Sequence, residues 1–116
     1  MKYLLFLSIV IFSTTSLEAQ VKNNQIETSE FEVTGVCKMC KKRIENAALQ
    51  KGVKFAKWNK ETQILKVVYK TNDIDEMAIH KAIAEVGHDT EKVKASDKKY
   101  KKLPKCCRYR DGVEVH

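Results

Sequence analysis

The sequence holds no hydrophobic run long enough to cross a bilayer. Its one apolar stretch, Leu4 to Phe12, falls well short of the about 20 residues a spanning helix needs. Paired carboxylates, a Ser/His/Asp set and a phosphate-binding glycine loop are all missing, so hydrolytic and kinase chemistry have no support. The formal charge is +7, yet no basic helix face interleaved with aromatics emerges. The lysines are scattered over every segment, as on a solvated surface, and nucleic acid is not an expected partner. There are four cysteines and they are not spread along the chain, as a disulfide framework would require; they fall as two tight pairs, 37/40 and 106/107. Pairs so close in sequence restrain very little of the unfolded chain, and a vicinal Cys106–Cys107 bridge would be strained. The arrangement points to thiol chemistry.

What is present begins with an export signal. Lys2 gives a positive start, Leu4–Phe12 an apolar centre, and Ser13 to Ala19 a polar exit, with cleavage expected after Ala19 although Leu17 is larger than the usual residue there. No cysteine lies near that point, so lipid anchoring is not indicated. The mature chain is expected to be periplasmic or secreted, with no stable membrane insertion. Residues 20–29 read as a flexible lead-in, 30–95 as one small domain, and 96–116 as a lysine-rich tail that carries Cys106 and Cys107.

Within 30–95, Phe31, Val33 and Gly35 alternate with polar residues, which predicts a first strand. Gly35 is expected to free the backbone for a tight loop. Cys40, Ile44, Ala47 and Ala48 then fall at helical spacing from Lys38 to Gln50. Val53–Trp58 and Gln63–Tyr69 predict two further strands, with Leu65, Val67 and Tyr69 inward and Ala56 and Trp58 opposite them. A second helix is expected from a capping box at Asp73 and Glu76. Its apolar stripe runs Ile79, Ala82, Ile83, Val86 to the stop at Gly87, and leaves His80 on the solvated side. His88 to Ala95 reads as a polar edge strand. The order β-α-β-β-α-β with right-handed crossovers predicts an α+β, ferredoxin-like sandwich: two helices on one face of a four-stranded antiparallel sheet.

Cys37 and Cys40 fall where the first strand meets the first helix. Unpaired N–H groups and the helix dipole lower a thiol's pKa there, and Lys38, Lys41, Lys42 and Arg43 act in the same sense. Such a pair can clamp a soft ion, act as a redox couple or close a disulfide. Thiolates select Cu(I) and also suit zinc, but a closed zinc site wants four ligands. A thiol–disulfide oxidoreductase is the alternative; against it, no proline or Trp-Cys accompanies the pair.

The run Phe31-x-Val33-x-Gly35-Val36-Cys37-x-x-Cys40, followed by Ile44, resembles the opening of the heavy-metal-associated domain. Ile79-x-x-Ala82-Ile83-x-x-Val86-Gly87 is similar to that domain's second helix, so the resemblance spans residues 30–95. It implies the same β-α-β-β-α-β fold and Cu(I) or mercury held by Cys37 and Cys40, as in copper chaperones and periplasmic mercury-binding proteins. The family usually reads Gly-Met-x-Cys-x-x-Cys; here Val36 replaces the methionine and one residue is missing before Cys37. His88, Cys106 and Cys107 are further candidate ligands, and Met39 offers a thioether. The tail pair is read in three ways: ligands to the same metal, a separate or intermolecular thiol site, or a disulfide. The expected activity is to carry or sequester a soft ion, Cu(I) first with Hg(II) or Zn(II) as alternatives, by stepwise thiolate exchange. Lys41, Lys42 and Arg43 suit an acidic docking face on a metal-transport or efflux protein. An accessory module of metal efflux fits the same features.

Overall fold

The structure is a computed structural model that describes residues 25–112; the export signal and the lead-in up to residue 24 lie outside the described residues, as do residues 113–116. Three strands, β1 (Ile26–Glu32), β2 (Val53–Trp58) and β3 (Ile64–Lys70), form an antiparallel sheet in the order β1-β3-β2. Helix α1 (Lys38–Ala48) links β1 to β2, and α2 (Glu76–Glu85) follows β3. Leu65, Val67 and Tyr69 are buried on one face of β3, and the register places Leu65 opposite both Phe31 and Trp58, and Val67 opposite Ala56. Cys40, Ile44, Ala47 and Ala48 of α1, with Ile79 and Ile83 of α2, close over that face to make a single core. The alternation on β3 and the helical spacing on α1 therefore bury the expected residues.

Four details differ from the sequence expectation. Strand β1 starts at Ile26, which pairs with Lys70, so residues 26–29 belong to the sheet and not to the lead-in. The α2 cap is Asp75, not Asp73: its carboxylate accepts the Ala78 N–H at 2.8 Å. His80 is fully buried rather than solvated. Its ring stacks on Phe31 at 3.8 Å, with Nδ1 2.6 Å from the Thr90 hydroxyl and Nε2 3.2 Å from Glu76. The fourth strand shrinks to one bridge, Val33 with Thr90, flanked by the bonds Thr34 N–H to Asp89 O and Glu91 N–H to Glu32 O. The cause is local. The Thr90 hydroxyl accepts the N–H groups of Lys92 and Val93 and the Asp89 carboxylate accepts that of Ala95, so side chains take the backbone donors that a ladder would use.

Beyond this bridge the tail folds back over the domain. A one-turn helix, α3 (Asp97–Tyr100), is capped by the Ser96 hydroxyl, and 3₁₀ turns follow at Lys105–Cys107 and Tyr109–Asp111. Gly87 makes this path possible. Its φ is +98°, and a Cβ there would lie 2.9 Å from the Lys99 carbonyl oxygen. Leu103 packs into the core. The Arg110 guanidinium grips the Asp89 carboxylate with two bonds, of 2.8 and 3.3 Å, and lies over the Tyr100 ring. The Tyr109 hydroxyl donates to Gly87 O and accepts from Asp89 N–H.

Candidate metal centre

Gly35 does not adopt a left-handed backbone; its need is steric. A Cβ there would lie 3.0 Å from two atoms of the buried Trp58 ring and 3.2 Å from Cys40 Cβ. Trp58 ties the junction together, because its indole N–H donates to Val33 O while its own carbonyl accepts from Lys41 Nζ. Gln63 supports the same loop, its side-chain oxygen accepting the Gly35 N–H at 2.9 Å. Val36, at the place of the methionine, is buried in the core.

This frame sets Cys37 at the N-cap of α1 and Cys40 in its first turn. The two sulfurs are 3.4 Å apart, and Cys107 of the tail lies 3.4 Å from Cys37. All three sulfurs fall within 4.8 Å of one another, and all three residues are buried. Three sulfurs bound to one ion at about 2.3 Å would stand about 4 Å apart, so the two contacts that Cys37 makes need to open by only about half an ångström to hold it. Arg43 Nη1 reaches the Cys107 sulfur at 3.3 Å and places positive charge beside the cluster.

The three thiols are electrostatically unequal. Burial raises the Cys37 thiol, but N–H groups of Cys40 and Met39 at the helix start and the thiols of Cys40 and Cys107 outweigh it, and its pKa falls to about 7. Burial raises Cys40. Burial, together with the hydrogen bonds to Cys40 and Cys37, pushes Cys107 up to about 12 against the pull of Arg43. Without metal at neutral pH, Cys40 and Cys107 keep their protons and Cys37 stands near its titration midpoint.

Neither His88 nor Cys106 joins the trio. His88 is fully buried, donates from Nδ1 to Thr34 O at 2.8 Å and stacks on Tyr109 at 5.6 Å. Because a carbonyl can only accept, Nδ1 carries the proton; Nε2 is buried with no hydrogen-bond partner among the described residues. Burial lowers the His88 pKa to about 4. It stands outside the sulfur group, and Cys107 takes the third place beside the pair. Cys106 points elsewhere, with its sulfur 3.7 Å from Met39 Sδ and 3.8 Å from Cys107 Sγ. Of the cations expected to dock a partner, Lys41 is bound to Glu45 and Trp58 O and Arg43 to Cys107, while Lys42 is exposed; Lys38, outside that expectation, is exposed too.

No protein-family model matches the chain, and no curated protein does. Solved structures do. A proposed copper-ion-binding protein from Bacillus anthracis superposes with a TM-score of 0.56 at 23% identity, covering 59% of this chain and 99% of its own. A CopZ metallochaperone gives 0.53 at 27% identity, covering 55% and 98%. A copper-bound, singly substituted form of CopA from Bacillus subtilis gives 0.50 at 26% identity, covering 58% and 91%. The strand order and the cysteine loop at the β1–α1 junction are those of a heavy-metal-associated type of fold, which the chain shares with these structures. Each neighbour is almost wholly covered yet accounts for under three fifths of this chain. No helix among the described residues is long and apolar enough to cross a membrane.

Proposed function

We propose that the protein is an exported Cu(I) carrier that holds its ion through Cys37, Cys40 and Cys107. The observation that carries this reading is the buried trio of sulfurs, one from the N-cap, one from the helix and one from the tail. An all-thiolate set favours Cu(I), and a trio falls one ligand short of a closed zinc site. Copper-binding neighbours of the same fold support the choice of metal. Three thiolates around Cu(I) carry a net charge of −2, which Arg43 and the positive end of α1 offset.

Loading displaces the protons of Cys40 and Cys107 and whatever proton remains on Cys37, so between about two and three protons leave per ion near neutral pH. A shallow cavity lined by Cys37, Lys38, Met39 and Cys106 reaches the edge of the cluster and admits a partner's thiolate. In transfer, each sulfur–copper bond made by the partner replaces one made here. Copper stays Cu(I), and the displaced sulfurs of Cys40 and Cys107 take protons back. Exposed Lys38 lines that opening, and together with exposed Lys42 it suits an acidic face on a metal transporter. Export follows from the N-terminal signal.

The test is a Cu(I) titration of the reduced protein against a colorimetric chelator. Cys37→Ser and Cys40→Ser should each lose more than the roughly 100-fold that removal of a ligand-orienting group costs. If both variants hold Cu(I) as tightly as the parent, the reading fails.

A further inference from the structure

Cys106 and Cys107 are neighbours in one 3₁₀ turn, yet their sulfurs serve different surroundings. Cys107 turns into the trio, whereas Cys106 turns outward to Met39, 3.7 Å away. Met39 is 53% exposed, the most exposed large apolar side chain among the described residues. A thioether left so open contributes little to packing, so its contact with a thiol calls for another explanation. Cys106 Sγ is also 3.8 Å from Cys107 Sγ. These separations approach the about 4 Å expected between sulfurs that share one ion, more closely than the 3.4 Å contacts within the trio.

We propose that Met39 and Cys106 form a second Cu(I) site that borrows the Cys107 sulfur as a bridge to the first ion. The inference rests on the copper reading above and extends it from one ion to two. Soft donors of both kinds suit Cu(I), and a thiolate sulfur has lone pairs enough for two ions. The charge balances without a new counter-ion. The second Cu(I) brings one positive charge and displaces one proton from Cys106, and Met39 is neutral, so the cluster stays at −2. Copper is supplied as Cu(I) and no electron moves. The cavity bordered by Cys37, Lys38, Met39 and Cys106 opens this outer site to solvent. An ion held there stands beside the inner trio, one bridging sulfur away.

The experiment is native mass spectrometry of the reduced full-length chain titrated with chelator-buffered Cu(I), run in parallel on Met39→Leu and Cys106→Ser. Both substitutions fall on the outer face and leave the inner trio whole. The parent should take two ions. Each variant should keep the first with affinity within about twofold of the parent and weaken the second by at least about tenfold. At two equivalents, X-ray absorption of the parent should add a copper–copper shell that the variants lack. A parent that stops at one ion, or variants that load two like the parent, would overturn the second site and leave the first reading standing. A parent that takes none overturns both.

Discussion

The cysteine loop and the tail reach the same cluster of sulfurs by different means. Cys37 and Cys40 are placed by regular structure: a strand ends, a helix begins, and Trp58 and Gln63 clamp the junction. Cys107 is placed by a chain with little regular structure, held by the Arg110 grip, the Tyr109 hydroxyl, the Arg43 contact and buried Tyr100 and Leu103. The first kind of support breaks only when the domain unfolds. The second rests on a few side chains at the edge of the same core. On the proposed reading, the loop captures the ion and the tail completes its coordination.

Acid should break the joint between the two regions first. His88 links them, bonded to Thr34 beside the loop and stacked on Tyr109 in the tail. Its pKa is about 4 in the fold against 6.5 ordinarily, so the unfolded chain binds the proton more readily between those values. The stability it contributes is complete above pH 6.5 and is lost as pH falls through 4, on the order of 3 kcal/mol. Chemical denaturation of the metal-free protein from pH 7.5 to 4 should show this limb, and His88→Gln should flatten it; equal limbs in both would remove His88 as the cause.

Arg110→Ala should separate the regions at constant pH. The pair with Asp89 is largely shielded, with side-chain exposures of 23% and 19%. Its loss should cost about 2 kcal/mol, between the usual figures for surface and buried pairs. For a domain of this size the apo Tm should fall by about 10 °C. Cu(I) should still bind through Cys37 and Cys40, though more weakly. Unchanged melting and affinity would show that the tail is fixed by other contacts.

The contrast also explains what the sequence disclosed. Period-two and helical spacing follow from backbone geometry, so Leu65, Val67, Tyr69, Cys40 and Ile44 were legible as inward-facing residues. His80 was not: counted as polar, it falls off the apolar stripe, and its Thr90 partner comes from a segment without periodicity. Asp75 displaced Asp73 as the cap because only the fold decides which carboxylate reaches a free N–H. Cys107 remained one reading among three, because its position depends on Gly87, Asp89 and Arg110 meeting across more than 20 residues. A signal was nevertheless present. Tyr100, Leu103 and Tyr109 punctuate an otherwise lysine-rich tail, and such residues need something to pack against.

The central claim is that the tail supplies a third sulfur to Cu(I). Copper-edge X-ray absorption at one equivalent of Cu(I), on the parent and on Cys107→Ser, tests it most directly. The account predicts three sulfur scatterers in the parent and two in the variant. Two sulfurs in both would contradict it.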